Sequence, residues 1–157
     1  MKIWNPWFFA IQEALSELES LGTELASKES ELETFQDVLD GLKGDLKDLQ
    51  KDISNQEKEI ENLEDDLADC KKDKRRCDRG DDDCVEDAEA CIDEVESDIE
   101  AAEDELSDLE DEEKQLKRDI ADAKDDVKDC QGEIDDLEDE IDDAQTVYNK
   151  ASRVCPL

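Results

Sequence analysis

Large aliphatic side chains recur every seven residues from Ile11 to Leu67: Ile11, Leu18, Leu25, Leu32, Leu39, Leu46, Ile53, Ile60 and Leu67. A second track interleaves with it at Ala14, Leu21, Lys28, Phe35, Leu42, Leu49, Gln56, Leu63, Cys70 and Cys77. The two tracks alternate steps of three and four without a stutter, the a/d seam of a left-handed coiled coil. Asn5 and Pro6 suit the start of the first helix, because Asn caps well and Pro is favoured at the first helical position. The segment Asp78-Arg79-Gly80-Asp81-Asp82-Asp83 has turn composition and no apolar residue.

Beyond that turn a second seam begins at Val85, Ala88, Ile92, Val95, Ile99, Ala102, Leu106 and Leu109. It continues through Leu116, Ile120, Ala123, Val127, Cys130, Ile134, Leu137, Ile141, Ala144, Tyr148 and Ala151, with Glu113 its one plainly polar position. The register of the first seam, carried past the turn, would put Asp81 at an a position. A single unbroken helix would keep one register, so the jump to Val85 predicts a fold-back. Gly22, Gly41, Gly44 and Gly132 lie off the seam, where an unbroken helix tolerates them.

The cysteines test this expectation. Cys70, Cys77, Cys84 and Cys91 are spaced seven apart, which on one straight helix is roughly 10 Å of rise, whereas a disulfide needs Cα atoms within about 7 Å. Folding the chain at Gly80 pairs Cys77 with Cys84 and Cys70 with Cys91. The same fold sets Leu67 opposite Val95, Leu63 opposite Ile99 and Ile60 opposite Ala102, so that each a residue meets a d residue. Two independent patterns thus select one register. A rival parallel dimer of unbroken helices, linked by interchain disulfides, conflicts with both the register jump and Gly80. Cys130 and Cys155 gain no cysteine partner and are expected to be free seam thiols or intermolecular links. The predicted fold is all-α: a long antiparallel coiled-coil helical hairpin stapled near its tip. Its parts are an aromatic N-terminal docking segment (1–10), a first arm (11–77), an acidic turn (78–84), a second arm (85–151) and a C-terminal tail (152–157).

Composition changes the picture in one respect. The chain has 157 residues, 46% charged and 4% aromatic, and a mean hydropathy of −0.92, values that alone would suggest disorder. A thin helical pair reconciles them with the heptads, because it buries one stripe and exposes the rest. The formal net charge is −34, from 53 acidic and 19 basic residues. A field of that sign repels nucleic acid and anionic headgroups, so basic proteins, divalent cations and polyamines are the fitting partners. No apolar run is long enough to cross a bilayer. The opening MKIWNPWFFAIQEA, broken by proline and followed by glutamate, reads as part of the mature chain and not as a secretory signal.

The tip, with Cys70-x6-Cys77 and Cys84-x6-Cys91, resembles the twin Cx(n)C helical hairpins of the mitochondrial intermembrane space, whose cysteine spacings are three or nine. That resemblance implies an assembly factor or accessory subunit in an oxidising compartment; an extracellular or secretory location satisfies the staples equally. Composition across the whole chain is similar to that of the acidic coiled-coil matrix proteins of extrusive organelles such as trichocysts, which implies a calcium-triggered matrix role. Four cysteines could also ligate zinc, but two stacked rungs splay the sulfurs along the axis. Arg79-Gly80-Asp81 in a cysteine-bounded loop looks like a disintegrin-type adhesion site, although a helical turn uses the same residues.

Two further features bear on function. On one flank of the seam the first arm brings Glu31, Asp45, Asp52, Glu59 and Asp66, and the second brings Glu105, Glu112, Asp119, Asp126 and Glu133. Facing like charges oppose pairing, so this edge is expected to attract a basic partner or weak, diffuse calcium. No EF-hand spacing and no specific metal site or cofactor motif is present. Trp4, Trp7, Phe8 and Phe9 collect at one end, where Tyr148 arrives from the other arm; such a cluster suits docking to a protein partner or to a second copy. Trp at an interface would also suit shallow membrane contact, which the acidic arms oppose. Catalysis lacks parts: there is no histidine, no phosphate-cradling glycine loop, and no nucleophile with a base. The expectation is a non-enzymatic structural subunit of a larger complex or filament.

Overall fold

The computed structural model describes residues 6–154, and side chains from 8 to 153. Two helices make up nearly all of it: α1, Pro6–Arg76, and α2, Asp82–Val154. They pack antiparallel as a hairpin, and among the described residues there is no strand. Both helices run unbroken through their glycines, which therefore sit where helix backbone simply continues.

The reversal is built by three residues. The Asp81 N–H donates to the Asp78 carbonyl at 3.1 Å, closing a turn. Gly80 stands inside it at φ 98°, a conformation that side-chain-bearing residues resist. Asp81 then caps α2: its Oδ1 accepts from the Cys84 N–H at 3.1 Å, satisfying a donor that the first helical turn leaves open. Asp82 and Asp83 follow in the first turn of α2, and Lys74, Arg75 and Arg76 close α1, so each helix end carries the charge that its dipole favours. Replacing Asp81 by Ala should cost about 1 kcal/mol of stability, whereas Asp81→Asn should cost little, as read by thermal melting.

The chain divides into two compact units, Leu42–Ile120, which contains the turn, and Met1–Gly41 with Ala121–Leu157. In both, the burial pattern is the heptad pattern. The described seam side chains of the two tracks are buried or half-buried, from Ile11 to Ala151, and nearly every position between them is exposed. In Leu42–Ile120 the deepest are Leu49, Cys70, Ala88, Ala102 and Ile120; in the other unit they are Ala14, Leu39, Ala123, Cys130, Ile134, Ala144 and Ala151. No described side chain reaches complete burial, as expected when a core is only two helices thick. Alanines make up much of the tightest layer, which lets the backbones approach closely.

Register follows from the cross-helix contacts. Within Leu42–Ile120, Cys77 meets Cys84, Cys70 meets Cys91 and Gln56 meets Glu105. Within the other unit, Lys28 meets Glu133. Within Leu42–Ile120 the α2 number rises in equal steps as the α1 number falls, so one alignment of the two helices holds there. Thus the fold-back that the heptads predict is present, and the two seams are buried together.

Candidate functional site

The tip is the most specific chemical feature. Cys70–Cys91 and Cys77–Cys84 are both disulfides, with Cα separations of 6.0 and 5.8 Å. These are the two pairs that mirror symmetry about the turn selects. Seven residues are two turns of helix, so each pair sits on the facing side of its rung. Asp73 and Asp87 flank the groove between the staples. Two disulfides fit an oxidising compartment. Arg79, Gly80 and Asp81 are exposed at the turn, and the Asp81 carboxylate is the α2 cap.

Polar residues inside the seam are satisfied by the opposite helix. Gln56 is 8% exposed; its amide donates to the Ala102 carbonyl at 3.1 Å and to Glu105 Oε2 at 3.4 Å. Glu113 accepts from the Gln50 amide at 2.8 Å and pairs with Lys117 at 2.8 Å. Those two hydrogen bonds, from Lys117 first and Gln50 second, hold its carboxyl below the usual range. The depressed value means that this contribution is present above the unfolded pKa and is lost as pH falls through the folded one. Lys28 occupies a seam position yet sends its ammonium to the edge, 2.5 Å from Glu133 on α2 and 2.8 Å from Glu31 on its own helix. Hydrogen bonds to Glu133 and then Glu31 raise its pKa above the ordinary lysine value. No buried side-chain polar atom is left without a partner among the described residues.

Lys71–Glu96 at 3.1 Å and Lys74–Glu89 at 2.7 Å add cross-helix ion pairs near the tip. Periodicity does not reveal these pairs; they depend on which way long side chains reach once the helices are in register.

The acidic edge forms in pieces. Glu31, Asp126 and Glu133 line one groove in the Met1–Gly41/Ala121–Leu157 unit, beside Lys28 and Cys130. Glu59 and Glu105 line another within Leu42–Ile120, joined there by Asp98. Asp45, Asp52, Asp66 and Glu112 are exposed, and Asp119 is half-buried. No cluster of metal-ligating side chains is found among the described residues.

Cys130 is a free thiol, 4% exposed, whose Sγ lies 3.5 Å from the Lys28 carbonyl. Burial, and then the nearby Glu31 carboxylate, push its pKa above the usual thiol value. It is therefore shielded and protonated. Iodoacetamide should leave Cys130 unmodified in the native chain and label it fully in denaturant, as read by peptide mass spectrometry; native labelling at the denatured rate would contradict its burial. Cys155 and Trp4 lie outside the described residues, and Trp7 lies on α1 with its side chain outside them.

Of the aromatic cluster, Phe8 and Phe9 are 60% and 50% exposed, with ring centroids 6.3 Å apart in an edge-to-face arrangement. Tyr148 is half-buried in the α2 seam. Among the described residues, Leu15, Val38 and Val147 are the other exposed large apolar side chains. No helix among the described residues is long and apolar enough to cross a membrane. Comparison with protein-family models, with curated proteins and with solved structures found no match.

Proposed function

We propose that this chain is a non-enzymatic structural subunit, docked into a larger assembly or filament through the aromatic start of α1. The observation that carries this is the contrast in apolar exposure. The leucines and isoleucines of the seam are tucked between the helices, while Phe8 and Phe9 stand more than half or half exposed. Exposed aromatic pairs of this kind supply anchor energy at protein interfaces. The carboxylates lie mostly on solvated helix faces, where little raises their pKa or excludes water, which supports a non-enzymatic reading. The disulfides suit an oxidising compartment, which we assign to the extracellular or secretory space or to the mitochondrial intermembrane space.

The test is native migration of the chain expressed in its source cells. Wild type should run with a large complex, and Phe8→Ser with Phe9→Ser should run at the size of the free chain with unchanged helicity. Wild type running as free chain at every concentration would remove the proposal.

A second reading has its own support. Glu31, Asp126 and Glu133 share one groove, and Glu59, Asp98 and Glu105 share another, so cations could gather diffusely along the edge and relieve repulsion. Millimolar calcium should then raise the melting temperature above that in sodium chloride of equal ionic strength. Equal melting in the two salts would dismiss a calcium-responsive role.

A further inference from the structure

We infer that the g-position edge of the Met1–Gly41/Ala121–Leu157 unit is a docking surface for a basic helix of a partner protein, laid lengthwise along it. This rests on the assembly reading above and names the chemistry of the partner.

The edge is built by seven-residue spacing. On α1 the row runs from Ala10 through Glu17, Glu24 and Glu31 to Val38, and on α2 from Asp126 through Glu133 and Glu140 to Val147 and Val154. The six carboxylates, Val38 and Val147 are exposed, and Ala10 is half-buried. In an antiparallel pair the g positions of the two helices flank the same side of the seam, and the groove shared by Glu31, Asp126 and Glu133 places them there. The opposite, e-position edge of the same unit is different: Phe8, Leu15, Gly22, Glu29 and Gln36 face Lys124, Gln131, Glu138, Gln145 and Ser152. Six carboxylates without a lysine or arginine at any g position stand against two carboxylates and a lysine at e. Charge is therefore segregated to one side of the hairpin, where it opposes the hairpin's own pairing.

Lys28 shows what relieves that side. One ammonium from the seam bridges Glu31 on α1 and Glu133 on α2. A partner helix with lysines or arginines along its flanks would repeat that bridge at Glu17, Glu24, Asp126 and Glu140.

The valines set the partner's other requirement. Val38 and Val147 are 51% and 55% exposed, the exposed large apolar side chains described in these two rows. Counting from the Lys28–Glu133 pair, Val147 stands level with Ala14. The two valines are then separated by about 24 residues of helix, roughly 36 Å, with the six carboxylates between them. A simple cation has no use for two apolar anchors at that distance. A second copy would bring carboxylate rows against carboxylate rows. A helix with an apolar residue near each end and basic residues between satisfies both features.

The test uses a fluorescent synthetic helix of about 28 residues, with leucines about 24 residues apart and lysines and arginines between them. Its comparator has the same composition with the leucines moved together. Anisotropy at physiological ionic strength should show the first peptide binding about tenfold more tightly, the contribution of two half-covered valines. Val38→Ser with Val147→Ser should abolish the preference, leave the comparator's affinity unchanged and preserve helicity. Phe8→Ser with Phe9→Ser should leave the preference intact, so that loss of the aromatic docking role and loss of this edge are read separately. Equal affinity for the two peptides, a preference that survives loss of the valines, or a self-association of the chain abolished by the valine substitutions would each overturn the inference.

Discussion

Removing the inner staple should lower stability more than any other change near the tip. Cys70–Cys91 closes a separation of 21 residues and Cys77–Cys84 one of 7. In the chain-entropy account, the constraint on the unfolded state grows with the loop enclosed. With the outer staple retained, Cys70→Ala plus Cys91→Ala should cost about 2–3 kcal/mol. For a chain of this size that is a fall in melting temperature of roughly 5–10 °C. The same changes at Cys77 and Cys84 should cost less, because Gly80 and the Asp81 cap already hold the short turn. Helicity at low temperature should be retained in both variants, since the seam and not the staples buries the apolar stripe. The check is thermal melting by circular dichroism under oxidising conditions. Equal losses at the two rungs would show that loop length is not what governs their contributions.

Ile134→Ala should be comparably severe for a different reason. Ile134 is 5% exposed, the least exposed large aliphatic side chain of the seam. Truncation removes its transfer energy and leaves a gap that two facing helices cannot fully close, so a cost of about 2–3 kcal/mol is expected, at the lower end of the range for buried isoleucine. Leu15→Ala is the matched control. Leu15 is 42% exposed on the flank, and its loss should change stability by less than about 0.5 kcal/mol. If both substitutions cost the same in denaturant titrations, the seam does not hold the chain together.

Much of this architecture is legible in the residues. Steps of three and four sustained over about eighteen turns in each arm specify a coiled coil, and Leu39, Leu49, Ile120 and Ile134 lie in the core where the heptads place them. The cysteine pairs are legible because their spacing is symmetric about Gly80, and only a fold-back brings such positions within bonding distance. Element ends are less so. The first arm is expected to run to Cys77 and the second to begin at Val85, whereas α1 stops at Arg76 and α2 starts at Asp82. The difference is the Asp81 cap, which begins the helix ahead of its first apolar residue.

The flanks are the least legible part. Lys28 reads as an odd polar residue in a hydrophobic track, and its bridge to Glu133 exists only once the register is set and a flexible side chain has chosen a direction. Gln56 is similar: its partner is a backbone carbonyl of α2, which no side-chain pattern encodes. Val38 carries no signal alone, since a single apolar residue outside the seam is ordinary on any surface. It gains meaning beside Val147 and the carboxylates between them.

Far from the staples no covalent bond enforces the antiparallel register of the two helices, which there rests on the seam alone. Spin labels at Ser20 and Asp142, both exposed, with Cys130 and Cys155 replaced by alanine, test it directly through pulsed dipolar spectroscopy. Folded back in this register, the labels should report a short distance, the roughly 10 Å between helix axes plus the label arms, unchanged when labelled chains are diluted with unlabelled ones. On one continuous helix the same positions would lie about 180 Å apart, and a short distance that vanishes on dilution would belong to two chains and contradict the hairpin.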